Sequence, residues 1–143
     1  MTSVRCTVSA IPITDQAVSL ASVFHRAYIL HSRPYRETSA ILDVLCPEEG
    51  RLALVARGAR APKSKTRALL QPFTPLLLTW SGRGELMTLN AIESGGMPVF
   101  ASGNPVLTGF YVNELVMRLV HRHDPLPELF ELYEQTLHSL AAA

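Results

Sequence analysis

The strongest constraint on this chain is a series of short apolar runs, cut apart by turn-forming residues and showing no helical period, across residues 24–93. Residues 24–31 (FHRAYILH) form the first run. Ser32, Arg33, Pro34 and Tyr35 are expected to break it at a corner, because proline lacks a backbone donor and biases its predecessor toward extended geometry. Residues 39–46 (SAILDVLC) form the second run, closed by Pro47-Glu48-Glu49-Gly50, where proline presets φ and glycine tolerates a positive one. Residues 51–57 (RLALVAR) then alternate, with Leu52, Leu54 and Ala56 on one face and Arg51, Ala53, Val55 and Arg57 on the other. This predicts a hairpin. Residues 73–81 and 85–93 predict another, joined by Gly82-Arg83-Gly84. Five short strands in so short a stretch have edges to hide, and a small closed barrel hides them.

The pattern changes after Gly95-Gly96. Residues 105–121 carry Val106, Phe110, Leu115 and Leu119 at helical spacing, with Asn104 and Pro105 suited to the N-cap and first turn. Pro125 and Pro127 interrupt. A second amphipathic helix follows, with Leu126, Leu129, Phe130, Tyr133, Leu137 and Leu140 as its stripe. The predicted class is therefore α+β: a five-stranded β-barrel over residues 24–95, then the start of an α-helical region over residues 96–143. Two such wide apolar faces want more partners than the chain supplies, so the helical region is expected to be incomplete. Residues 1–23 read as a loosely ordered extension or as residues upstream of the true start. Pro12, Asp15 and Gln16 interrupt any signal-peptide core there, and Arg5 is the sole early positive charge.

Composition excludes several classes. Hydrophobic residues make up 48% and charged residues 17%, a globular balance. No apolar run approaches the roughly eighteen residues that cross a bilayer. Cys6 and Cys46 have neither disulfide-framework nor zinc-site spacing, so free thiols in a reducing cytoplasm are expected. His25, His31, His121, His123 and His138 lie near no recognisable nucleophile and carboxylate pair, and Glu48 and Glu49 read as turn residues. Ser81-Gly82-Arg83-Gly84 is too short for a phosphate-cradling glycine loop. No enzyme, cofactor or metal site is expected.

The net charge of +1 conceals an asymmetry. Residues 24–93 hold ten Lys/Arg against six Asp/Glu, and residues 104–143 hold two against five. Residues 57–67 (RGARAPKSKTR) concentrate it: Arg57, Arg60, Lys63, Lys65 and Arg67 with no acid among them, including the only two lysines of the chain. Five cations on one loop repel unless an anion spreads across them, and a phosphodiester backbone does so with release of counterions. A device for solubility alone would scatter its charges. Arg33 and Arg36 at the expected corner, and Arg51 and Arg83 in turns, extend the candidate patch. Tyr35, between Arg33 and Arg36, is the best candidate to stack on a base; Trp80 and Phe73 read as core.

Together, residues 27–39 (AYILHSRPYRETS), 50–52 (GRL), 56–60 (ARGAR), 69–76 (LLQPFTPL), 82–86 (GRGEL), 109–115 (GFYVNEL) and 128–130 (ELF) resemble the RecO family of bacterial recombination-repair proteins. The resemblance covers the chain from about Phe24 onward. It implies an N-terminal OB-fold followed by an α-helical domain, and a cytoplasmic mediator that binds single- and double-stranded DNA and anneals complementary strands. It further implies action with RecR in loading RecA onto DNA coated by single-strand-binding protein, without an ATP site. On this resemblance Arg33, Arg36, Arg57, Arg60, Lys63, Lys65 and Arg67 lie on the DNA-contacting side. Family members are longer; further helices dock the tail of single-strand-binding protein, and some carry a zinc motif there that nothing in this chain could supply. Two other readings use the same residues: an adaptor whose basic loop docks an acidic partner tail, and an OB-type RNA-binding domain, which lacks an aromatic-rich surface motif.

Overall fold

The computed structural model describes residues 23–100 and 102–143; the expected extension and Cys6 lie outside them. Five strands, β1 (His25–Tyr35), β2 (Ser39–Cys46), β3 (Gly50–Ala56), β4 (Leu76–Ser81) and β5 (Leu86–Ser94), close into a barrel in the order β1-β2-β3-β5-β4. All neighbours are antiparallel except β3 and β5. Two helices follow, α1 (Asn104–Leu119) and α2 (Pro127–Ala142). This is the α+β architecture and OB-type barrel that the strand pattern and the resemblance implied. No helix among the described residues is long and apolar enough to cross a membrane.

β1 overrides the expected break. It runs through Pro34 to Tyr35, and the turn falls at Arg36, Glu37 and Thr38, with Arg36 in the left-handed region at φ 57°. Beyond Ala27 the strand pairs only with β2, and proline is tolerated on a strand with an open side. An irregularity between Ile29 and His31 lets the strand bend from its short pairing with β4 to its long pairing with β2.

Ala27, Ile29, Ala40, Leu42, Val44, Cys46, Leu52, Leu54, Leu76 and Leu78 point inward and fill the barrel. Tyr28, Leu30 and Leu45 point outward and are equally buried, because Val116 and Val120 of the α1 end and Phe130, Tyr133 and Leu137 of α2 cover them. Burial on both faces explains why β1 and β2 read as continuous apolar runs where β3 alternates. Hydrogen bonds fix the docking: Tyr133 Oη donates to Asn113 Oδ1 at 2.6 Å, Asn113 Nδ2 to Leu30 O at 3.2 Å, and Tyr28 Oη to Glu134 Oε2 at 2.7 Å. Burial pushes both tyrosine hydroxyls well above the ordinary phenol range, and for Tyr28 the bond to Glu134 adds to it.

Three further expectations are corrected. Phe73 precedes β4 at φ 63° and packs with the helices rather than in a strand. The N-cap of α1 is Gly103, not Asn104. The face of α1 that docks carries Gly109, Asn113 and Val116, whereas Phe110, Leu115 and Leu119 are exposed. Gly109 decides this: a Cβ there would meet the Phe73 ring at 2.7 Å, so only glycine admits the contact. The expected stripe of α2 holds at Phe130, Tyr133 and Leu137.

Candidate nucleic-acid interface

Strand directions divide the candidate cations between two ends of the barrel. β1 climbs to the hairpin tip at Arg36–Thr38, β2 descends, and β3 climbs back, so residues 57–67 emerge beside that tip. The loop is tied down there. Arg60 N donates to Thr38 O at 2.7 Å, and Arg60 Nη1 donates to Glu37 O at 3.0 Å and Arg36 O at 3.3 Å. Arg67 Nη2 donates to Arg60 O at 2.7 Å and Ala61 O at 2.5 Å. Gly58, at φ 69°, makes the turn out of β3. Two of the five loop cations thus spend part of their donor sets on backbone carbonyls, Arg60 on those of the hairpin and Arg67 on those of the loop itself.

The loop is thereby tied to the hairpin with its remaining cations outward. Arg57, Lys63 and Lys65 are exposed, and among the described residues none of them pairs with an acid. Arg36 is exposed as well, its Cζ lying 5.1 Å from the Tyr35 ring centroid. Tyr35 is half-buried, with one face under that guanidinium. A cleft of 340 Å³ lies between hairpin and loop, with Ala40, Ala59 and Leu70 on its apolar side and Arg60, Arg67 and Gln71 on its polar side. Glu37 is the one acid at the tip.

Arg83 lies elsewhere. The β4–β5 and β2–β3 turns share the opposite end of the barrel, where Arg83 borders a separate 610 Å³ depression with Glu49, Trp80 and His123. Trp80 is half-buried there, stacked against His25 at 4.9 Å between centroids.

Arg33 and Arg51 lie on the barrel flank around Asp43, a group that sequence reasoning missed. Asp43 is fully buried on the outward side of β2. Arg51 Nη1 stands 3.6 Å from its carboxylate, Arg33 Nη1 3.8 Å, Arg122 Nη2 3.8 Å and His31 Nδ1 3.9 Å. Neither Asp43 oxygen accepts a hydrogen bond among the described residues. Arg51 also donates from Nε to Val120 O at 2.9 Å, and His123 N donates to Arg51 O at 2.9 Å, so this residue stitches the α1–α2 connection to the barrel. One signal was available: Asp43 is the single charge inside the apolar run of residues 39–46.

Comparison with known proteins accords with this architecture. The family model described as "Recombination protein O N terminal" matches residues 21–96, and "Recombination protein O C terminal" matches residues 104–143. A protein of Nitrosococcus oceani named DNA repair protein RecO is 50% identical over 121 residues, covering 85% of this chain and 49% of its own length. Proteins of the same name from Ralstonia nicotianae and Burkholderia lata are 52% and 53% identical over 115 residues, covering 80% of this chain and 42% and 41% of themselves. The chain thus spans less than half the length of these relatives. With both family models matched in order, one on the barrel and one on the helices, the chain belongs to the recombination protein O (RecO) family.

Proposed function

We propose that this chain is the DNA-binding part of a DNA-repair mediator, acting by binding rather than catalysis in the cytoplasm. Residues 24–95 form its nucleic-acid unit and residues 96–143 begin its helical unit. The observation that carries this reading is the hairpin end of the barrel, where Arg57, Lys63 and Lys65 stand free on a loop that Arg60 and Arg67 pin in place. Fixed, unneutralised cations beside a half-buried tyrosine suit a flexible polyanion whose bases can stack. Arg36, Tyr35, Arg60 and Arg67 complete the surface, with Arg33 and Arg51 beside it on the flank. Arg83 belongs to the opposite end and serves only a strand long enough to reach it. Relatives that carry the name DNA repair protein support the biological setting. Annealing of complementary strands, and cooperation with RecR in placing RecA on DNA coated by single-strand-binding protein, are the further roles proposed for the whole protein.

The test is affinity for a fluorescent single-stranded oligonucleotide across a salt series. Log affinity should fall linearly with log salt, by about 0.7 per phosphate neutralised. Reversing Lys63, Lys65 and Arg67 together should flatten the line, and an unchanged slope removes the loop from the reading. Because Arg67 also holds the loop, Lys63→Glu with Lys65→Glu gives the cleaner version. Binding of an acidic peptide without any DNA affinity would favour the adaptor.

A further inference from the structure

The cluster around Asp43 brings three guanidiniums and an imidazole around one carboxylate that accepts no hydrogen bond from any described residue. A carboxylate with no access to solvent is costly unless opposite charge surrounds it, and guanidiniums gathered this closely repel unless an anion lies among them. Each explains the other. The distances, 3.6 to 3.9 Å, nevertheless exceed hydrogen-bonding range, so Asp43 holds the cations by charge and takes up none of their N–H donors itself.

The four cations differ in what else they do. Arg51 is turned inward, its side chain 13% exposed, and is engaged with Val120. Arg122 donates from Nη1 to Glu85 Oε1 at 3.1 Å and keeps its other donors. Arg33 is half exposed, and its guanidinium makes no hydrogen bond among the described residues. His31 is half exposed beside it. Counting Glu85, the three guanidiniums still outnumber the two carboxylates.

We propose that Arg33, Arg122 and His31 form a phosphodiester-binding site, with Asp43 beneath them as the positioning residue that holds the donors side by side. A tetrahedral oxyanion offers acceptors to two guanidiniums at once, which suits planar donor forks better than a single ammonium. Placement favours a polyanion. His31 and Asp43 are cross-strand partners, Arg33 and Ile41 are the next outward pair, and Tyr35 and Ser39 the one after. Four residues of strand from Asp43 to Ser39 span about 14 Å, so the cluster lies a few nucleotides' length down the flank from the hairpin tip where the basic loop emerges. Arg122 comes from the α1–α2 connection, which makes the site a joint product of barrel and helices. The proposal rests on the nucleic-acid reading of the loop and extends it along the flank.

The experiment has two arms on the full chain. In the first, arginine Nε–H signals are followed by NMR as inorganic phosphate is added. Those of Arg33 and Arg122 should shift, and Asp43→Asn should diminish the response in a chain that still melts cooperatively. In the second, Arg33→Gln and Arg122→Gln should each lower the single-stranded DNA salt slope by about 0.7. If DNA binds and responds to Lys63→Gln with Lys65→Gln, but not to Arg33→Gln or Arg122→Gln, the cluster is purely structural and the proposal is overturned. If phosphate shifts both arginines while DNA fails to bind, the anion site stands and the nucleic-acid reading alone falls. An acidic peptide that shifts these signals where phosphate does not would overturn the site in favour of a protein partner.

Discussion

At the hairpin end of the barrel, Arg57, Lys63 and Lys65 stand in solvent with no acid partner among the described residues. On the barrel flank, Arg51 and Arg122 crowd with Arg33 around a carboxylate that has no exposure at all. The same side-chain chemistry therefore does two jobs. On the loop, charge without compensation is available to an outside anion and contributes little to the fold. On the flank, part of the charge is consumed in joining the helices to the barrel. A count of cations does not tell the two regions apart; burial separates exposed, uncompensated charge from a seam between helices and barrel.

The comparison is most exposed to a change at Asp43. Asp43→Ala leaves Arg51 in a poorly solvated site without its counter-charge, and thermal or urea unfolding should show a loss of about 3–5 kcal/mol. Cys46, buried in the same strand, reports the opening. Burial pushes its thiol up to about 11, so alkylation at pH 8 should be slow in the parent chain and faster in Asp43→Ala. Since the folded form favours the neutral thiol, its contribution to stability is complete below pH 9 and is lost as pH rises through about 11.

Next in size, Tyr133→Phe leaves Asn113 Oδ1 without its donor inside the helix–barrel seam and should cost about 1–3 kcal/mol in the same unfolding assay. DNA affinity should change little. Lys63→Gln with Lys65→Gln should reverse that profile: stability within about 0.5 kcal/mol of the parent, and a salt slope lower by about 1.4 for two lost phosphate contacts. A large stability loss from this pair would erase the distinction between the regions. Arg83→Gln should have the smallest effect, leaving both stability and the slope for a short oligonucleotide unchanged, because Arg83 lies at the other end of the barrel.

Much of this was legible in the residues. The turns after Cys46 and after Ser81 matched their chemistry, and the alternation of Leu52, Leu54 and Ala56 marked the barrel interior. Phe130, Tyr133 and Leu137 gave the docking stripe of α2. Pro34 misled, because proline signals a break only where the strand needs a donor on that side, and the openness of β1 is a tertiary fact. The stripe of α1 misled for a related reason. Its apolar residues occupy more than one face, and the face that docks is the one where Gly109 lets Phe73 approach and Asn113 meets Tyr133 and Leu30.

By itself the sequence determined the order of elements and the concentration of cations in residues 57–67, since strand alternation, turn chemistry and charge runs are local properties of the chain. Only the tertiary structure decided which cations are free. Arg60 and Arg67 are tied to backbone carbonyls at the surface, Arg51 faces Asp43, and Arg83 is carried to the far end, because pairing register and barrel closure bring together residues that no spacing in the chain relates.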